Sequence, residues 1–498
     1  MLLGEGGYKL SQKGRIRPIH PRLRMDVLSN EDIKRIHEAA LEVMEEVGVR
    51  FPSEKALNIL EEAGAKVDRN SMVAKLPAPL VMDAISKAPP RYTLAARDMR
   101  DDLFLDGKHC YLSTDGCGIE VYDLETGIKR TSTKKDIEDS ALVADYLDAI
   151  AFYWGPMVSA QDAPSEVRAL HELEAAFTHT TKHIQLETII TEPIAKYAIE
   201  MAVAIVGSRE ELRKRPIFSV MQCAVDPLGE DKGSLEASLV AAGAGVPTGF
   251  MPMPMCCATA PATLAGNLVV TTVDSLAPLV LMQIAYPGAP IFFAAAPTAI
   301  DLHTGGYTGG GPEDHLLAIA FNQICEFYNI PLSMGAFATG AKEPDWQAGV
   351  DNSFAGLMPV LTHTALLTGV GMLNGSKILS FQQMIMDCEI YGIIEKIAEG
   401  IEVNEETLAV DVIKKVGVGG NFLTEKHTRK HMRDIWQPTV FDRTPYDAWE
   451  KGGKKGAFHK ATEKAKWILA NHQPTPLEPP VQKELKKIIK AAEKELIK

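Results

Sequence analysis

Eight short apolar runs, each followed by a stretch of helical period, constrain this chain more than any other feature. The runs are "CYLSTD" (110–115), "IAFYWGPM" (150–157), "HIQLETI" (183–189), "PIFSVMQCA" (216–224), "PTGFMPMPMCC" (247–257), "APIFFAAAP" (289–297), "PLSMGAFAT" (331–339) and "LLTGVGML" (366–373). Continuous apolar strands separated by helices are the pattern of a parallel sheet covered on its outer face, and eight such units match a closed (β/α)8 barrel. In "GPEDHLLAIAFNQICEFYNI", Pro312 suits the first helical position, and Leu316, Leu317, Ile319, Ala320, Ile324 and Phe327 are expected to face inward. An open doubly wound sheet is the competing arrangement. It lacks support, because "GGYTGGGPEDH" is glycine-rich without being a G-x-G-x-x-G turn and has no P-loop lysine. The expected fold class is therefore α/β, a (β/α)8 TIM barrel with an N-terminal helical extension and a C-terminal helical tail.

Residues 1–105 are read as the extension, 106–400 as the barrel and 401–498 as the C-terminal helical region. The extension opens with "SNEDIKRIHEAALEVMEEVG", with Ser29 as N-cap, apolar positions from Ile33 through Ala40, Leu41 and Met44 to Val47, and Gly48 as the stop. "SEKALNILEEAGAKVD" repeats the plan with Ser53 and Gly64. After the first strand, "GIEVYDLETGIKRTS" reads as a hairpin inserted before a helix that starts near Thr133. The final "VQKELKKIIKAAEKELIK" is an amphipathic helix suited to packing on the barrel or a subunit.

Composition narrows the class. A net charge of -13 argues against a nucleic-acid backbone as partner. From Ala237 to Val273 there is no Asp, Glu, Lys or Arg, and Ser275 to Ile300 is uncharged again. Pro247, Pro252, Pro254 and Pro261 break that run, which favours a buried core over a membrane span. The seven cysteines, Cys117 among them, are scattered, and the first residues lack a continuous apolar signal region, so a reduced cytoplasmic location without export is expected. Homo-oligomers are the common state for such chains.

Function in a barrel sits where strands end, which draws attention to "FATGAKEPDWQAG" on the seventh strand-to-helix loop. Trp346, with Phe337 before it, could form part of an aromatic wall that holds a cation. Tyr307 in the glycine-rich loop, and Tyr153 and Trp154 at the end of the second strand, are further wall candidates. Alternation means that only some of them can point inward. Lys342 and His303 could bind a substrate carboxylate. Glu313, Asp314, Glu343 and Asp345 could orient a cation or act as acid and base, although helix N-termini attract acids for dipole reasons alone. His179 and His183 are four apart, but the second begins a strand, so no metal site is expected. Cys256 and Cys257 read as core filling.

The ordered set "HEAALEVMEEVGVRFPSEKALNILEEAGAKVD", "LPAPLVMDAISKAPPRYTLAARD", "GGPEDHLLAIAFNQICEFYNIPL", "AKEPDWQAG" and "DIWQPTVFDR" resembles the trimethylamine methyltransferase family over residues 26–470. The resemblance implies a barrel that delivers a substrate methyl group to the cobalt of a cognate corrinoid protein. The corrinoid would then belong to that partner and not to this chain. Founding members of the family use pyrrolysine on trimethylamine, whereas this sequence contains only the twenty ordinary residues. It therefore resembles the non-pyrrolysine branch, which implies a small quaternary amine as substrate: glycine betaine first, with proline betaine or carnitine as alternatives. Glu313, Glu343 and Asp345 then suit loop anchoring or partner docking better than contact with the ammonium. Two other readings of the residues remain: a barrel lyase with Lys342 as Schiff-base lysine and Glu343 as base, and a betaine-binding module without catalysis.

Overall fold

The computed structural model describes residues 16–497 apart from Cys117 and Thr308. Cys117 and residues 1–15 of the segment read for export thus lie outside the described residues. Eight parallel strands close a barrel: β1 (Tyr111–Thr114), β2 (Ile150–Gly155), β3 (His183–Leu186), β4 (Phe218–Cys223), β5 (Thr248–Met251), β6 (Ile291–Ala295), β7 (Leu332–Gly335) and β8 (Leu366–Val370). Each lies beside its neighbours in chain order, and β8 closes on β1. The principal helices that follow them are α1 (Lys134–Tyr146), α2 (Arg168–His179), α3 (Glu192–Val206), α4 (Lys232–Ala244), α5 (Leu264–Ala285), α6 (Pro312–Tyr328), α7 (Trp346–Leu361) and α8 (Phe381–Ala398).

The register is regular along most seams; Gln185, for example, lies between Trp154 and Ser219. Among the described residues, shifts occur on the two sides of β1, at Leu367/Val370 and at Leu112/Ser113. Gly369 sits at the first of these with φ 126°, and a Cβ there would lie 1.7 Å from the Ala336 carbonyl oxygen. Only glycine allows β7 and β8 to approach so closely at the barrel mouth.

Two packing layers result. Inside the barrel, Phe152, Trp154, Met221, Met251, Phe292 and Leu366 form one buried cluster. The antiparallel pair Tyr92–Leu94 and Leu103–Leu105 closes the lower end of this cluster through Leu94, Leu103 and Leu105. Each large side chain so buried contributes roughly 1.5–3 kcal/mol. The outer layer lies between strands and helices.

The helix α5 explains the N-terminal extension. It is long and apolar enough to cross a membrane, yet 78% of its most apolar window is buried. Helices Asn30–Glu46, Glu54–Glu62 and Ala78–Lys87 pack on it and remove that surface from water. Ser29 caps the first of these in a reciprocal capping box with Asp32, and Gly48 and Gly64 follow the first two helices with positive φ. At the other end, Ala457–Asn471 packs on α8 and α1, and Pro479–Leu496 on α3 and α2. The inserted hairpin is Glu120–Tyr122 paired with Lys129–Thr131.

Some inward expectations fail. Leu316, Phe327 and Val47 are exposed. The barrel-facing stripe of α6 runs through Leu317, Ala320, Phe321 and Ile324, and Phe327 turns instead toward His37 of the extension, with ring centroids 5.2 Å apart. Cys256 is buried, but Cys257 has φ 72° and is exposed, because the chain reverses there.

Candidate active site

A cavity of about 540 Å³ opens at the C-terminal mouth of the barrel. Asp115 follows β1, Trp154 lies in β2, Met251 ends β5 and Gly335 ends β7, so several strands deliver side chains to one space. Loop residues Tyr307, Lys342 and Ser376 complete its wall.

Alternation along β2 decides which aromatics reach it. Trp154 points into the barrel, and its indole Nε1 has no hydrogen-bond partner among the described residues. A Cβ on Gly116 would sit 3.0 Å from that nitrogen and 2.8 Å from Glu187 Oε1, so the indole edge and the carboxylate converge beside this glycine. Tyr153 faces the other way, where its hydroxyl lies 2.9 Å from Ser140 Oγ on α1. The same sorting removes Phe337, which has φ 48° and is fully buried against Gly356 of α7 and Ile394 of α8 rather than in the cavity.

Tyr307 retains 44% of its surface and lines the cavity, in a loop bridged by Ile300 and Tyr307. Thr304 and Gly306 line the cavity too, so this glycine-rich segment overhangs the mouth. Lys342 also lines it, with Nζ donating to the Gly340 carbonyl at 2.5 Å. The Lys342 carbonyl accepts from Tyr122 OH at 2.8 Å, which ties the seventh loop to the inserted hairpin.

Burial raises the Asp115 carboxyl to about 6, against the opposing pull of hydrogen bonds from Ser376 Oγ and from the Gly116 amide at 2.9 Å. It is ionised at neutral pH and held in place by these donors. At the C-terminal end of β4, beside Met251, burial first, and then Glu187, Asp226 and Glu230, push the Cys223 thiol up to about 12. That group stays a thiol and is no nucleophile at neutral pH. The mouth thus brings together a carboxylate, two aromatic rings and a lysine.

The remaining candidates lie elsewhere. Trp346 is the first residue of α7 and stands 86% exposed, away from the cavity wall. Asp345 is the N-cap of α7, accepting from the Ala348 amide at 3.1 Å, and Glu343 is exposed on the rim with its carbonyl accepting from the Asp345 amide. His303 is exposed in a turn organised by Asp301. Glu313 is exposed in the first turn of α6, while Asp314 binds Thr298 Oγ1 at 2.6 Å and the Gly311 amide. His183 is buried, with Nδ1 2.7 Å from the Ala95 carbonyl and Nε2 2.9 Å from Ser219 Oγ; burial lowers it to about 4. His179 contacts the Ala175 carbonyl, so the two histidines form no pair.

Asp115, Glu187 and Ser376 were not singled out in the sequence. A signal existed for the first two: each is the first acid toward the end of a strand-like run, and each directly follows the strand itself, the position at which a barrel places its mouth residues. Ser376 lies beyond β8 and carries no such signal.

Comparison with known proteins matches residues 8–496 to the family described as trimethylamine methyltransferase (MTTB). A trimethylamine methyltransferase of Desulfitobacterium hafniense is 34% identical over 467 residues, covering 94% of each chain. One from Methanosarcina barkeri is 31% identical, covering 95% of this chain and 96% of the other. A glycine betaine methyltransferase of Desulfitobacterium hafniense is 30% identical, covering 95% and 98%. The crystal structure of the monomethylamine methyltransferase of Methanosarcina barkeri has the same fold, with TM-score 0.50, 12% identity and coverage of 96% and 95%.

Proposed function

The chain belongs to the trimethylamine methyltransferase family, and from that premise we propose that its barrel mouth holds a quaternary amine, glycine betaine first, while one N-methyl group passes to the corrinoid of a cognate protein. The observation that carries this reading is the pairing of Trp154 and Tyr307 on one cavity that also has the Lys342 ammonium in its wall. Aromatic faces attract a desolvated ammonium by about 2 kcal/mol or more. A cation at the rim suits the carboxylate at the other end of a betaine.

The leaving group supports the same choice. A quaternary ammonium departs as a neutral tertiary amine and needs no proton. A neutral amine must be activated first, and the chain, built of ordinary residues, offers the protonated Cys223 thiol rather than an electrophile. Positive charge leaves nitrogen as the bond breaks, so diffuse aromatic contacts hold the transition state better, relative to the ground state, than a tight ion pair would. Alignment of one methyl with the acceptor can supply about 7–11 kcal/mol. The role of Trp154, Tyr307 and Lys342 is to hold the substrate in that alignment and exclude water.

The methyl acceptor arrives as a second substrate. Cobalt(I) in the corrinoid supplies the nucleophile. Small residues at the mouth, Gly335, Ala338, Gly340, Gly369 and Gly375, suit the approach of a broad flat macrocycle. The relative named for glycine betaine covers the same length of chain.

The test is anoxic incubation with the cognate corrinoid protein, reduced to cobalt(I), and a panel of glycine betaine, proline betaine, carnitine and trimethylamine, with methylated corrinoid followed by absorbance. Turnover with a quaternary amine alone is expected. Turnover with trimethylamine alone would overturn the substrate class.

A further inference from the structure

Residues 401–439 contain no buried side chain, although Ile401, Val403, Val418 and Leu423 are among their apolar members. A stretch without a core needs another source of cohesion. Two short helices of this stretch, Glu405–Leu408 and Lys426–His431, bring together side chains of a different kind. His427 and His431 lie four apart on the second helix, with ring centroids 4.4 Å apart. One ligand atom from each of these histidines and from Glu406 lies within 4.8 Å of the others.

Without an ion these groups are joined as ion pairs of Glu406 with Lys430 and His431 and of His431 with Asp434, and their spacing is that of a metal site. His431 Nε2 is 3.2 Å from Glu406 Oε1; ligand atoms about 2.0–2.1 Å from a tetrahedral zinc stand about 3.3 Å apart. His431 Nδ1 lies 2.7 Å from Asp434 Oδ2, the outer carboxylate that orients a metal-binding imidazole and turns its other nitrogen toward the ion. His427 Nε2 is 3.1 Å from the Glu406 main-chain oxygen, so its ring is held at the same place. Lys430 Nζ, 2.6 Å from Glu406 Oε1, occupies the carboxylate and is the group that an ion would displace.

We propose that Glu406, His427 and His431, with Asp434 behind His431, bind a divalent transition metal of the zinc class, which fastens the two short helices and closes the intervening segment 407–426 with its helix Val410–Val416. The fourth position is left to water. This site is independent of the barrel mouth and of the substrate assigned there.

Full-length protein stripped with a chelator and titrated with cobalt(II) tests the proposal through the visible absorption of the bound ion, with zinc(II) as competitor and far-UV circular dichroism to verify folding of each variant. One equivalent is expected to bind, zinc(II) should displace it, and the His427→Ala/His431→Ala double variant should lose it. Glu406→Gln should weaken binding at least tenfold, and Lys430→Gln should tighten it. Zinc(II) should also slow tryptic cleavage at Lys414 and Lys415 at least tenfold. Absence of binding, or equal binding by Glu406→Gln, would overturn the site, the latter by showing a two-histidine surface chelate only. Binding without protection from trypsin would overturn its fastening role.

Discussion

Trp154 and Trp346 show how burial separates two residues of the same type. Trp154 lines the cavity from inside the barrel, whereas Trp346 projects into solvent from the start of α7. Trp154→Ala should raise KM for the proposed quaternary-amine substrate more than tenfold, since loss of about 2 kcal/mol exceeds the 1.4 kcal/mol that corresponds to a factor of ten. Trp346→Ala should leave KM within about twofold, by the small effect of exposed substitutions. Steady-state kinetics on both variants checks the pair. Asp115 offers a second test at this scale. With its carboxyl raised to about 6 by burial, it gains a proton as pH falls through that value and the mouth loses a negative charge. We expect kcat/KM to fall with pH below about 6, and Asp115→Asn to remove that limb of the profile.

Among the elements, α7 depends on two residues that the strand pattern alone would not pick out. Asp345 caps it, and Asp345→Ala should lower stability by about 1 kcal/mol, read as a shift of the denaturant midpoint. A Cβ on Gly356 would lie 2.5 Å from Phe337 Cζ and 2.8 Å from Ile394 Cδ1, so Gly356→Ala should cost about 1–3 kcal/mol by overpacking. The eight strands and the helices between them were legible because their periods are local properties of the sequence. Phe337 was not, because its φ of 48° turns the chain just past β7 and directs the ring between α7 and α8. Tyr153 and Trp154 are neighbours in sequence, yet one serves the helix layer and the other the cavity, and only the register of β2 tells which.

For the molecule as a whole, buried acids contribute to the pH dependence of stability. Burial raises Asp115 to about 6 and Asp387 to about 7, the latter despite hydrogen bonds from the Gly371 amide, Asn352 and Gln383. Asp226, Glu230 and Asp274 are shifted upward as well, chiefly by desolvation. Between about pH 4, where a free aspartate titrates, and pH 7, these acids bind more protons in the folded chain than in the unfolded one, while His183, lowered to about 4 by burial, works in the opposite direction. Stability from these acids is present at the low end of that window and is lost as pH rises through it. Thermal unfolding at pH 6 and pH 8 checks this: Asp387→Asn should shift the change in Tm from pH 6 to pH 8 upward relative to the unaltered chain, because it removes one group whose stabilisation is lost over that range.

Hydrophobic period, caps and ordered segments are written along the chain, and from them alone follow the strand and helix pattern, the closed barrel and the resemblance to a methyltransferase family. Tertiary structure decided which strand ends share a cavity, which aromatics face it, and that Glu406 meets His427 and His431. Those contacts join residues far apart in sequence, and their side-chain directions follow from strand register, backbone φ and packing between layers, none of which any single segment encodes.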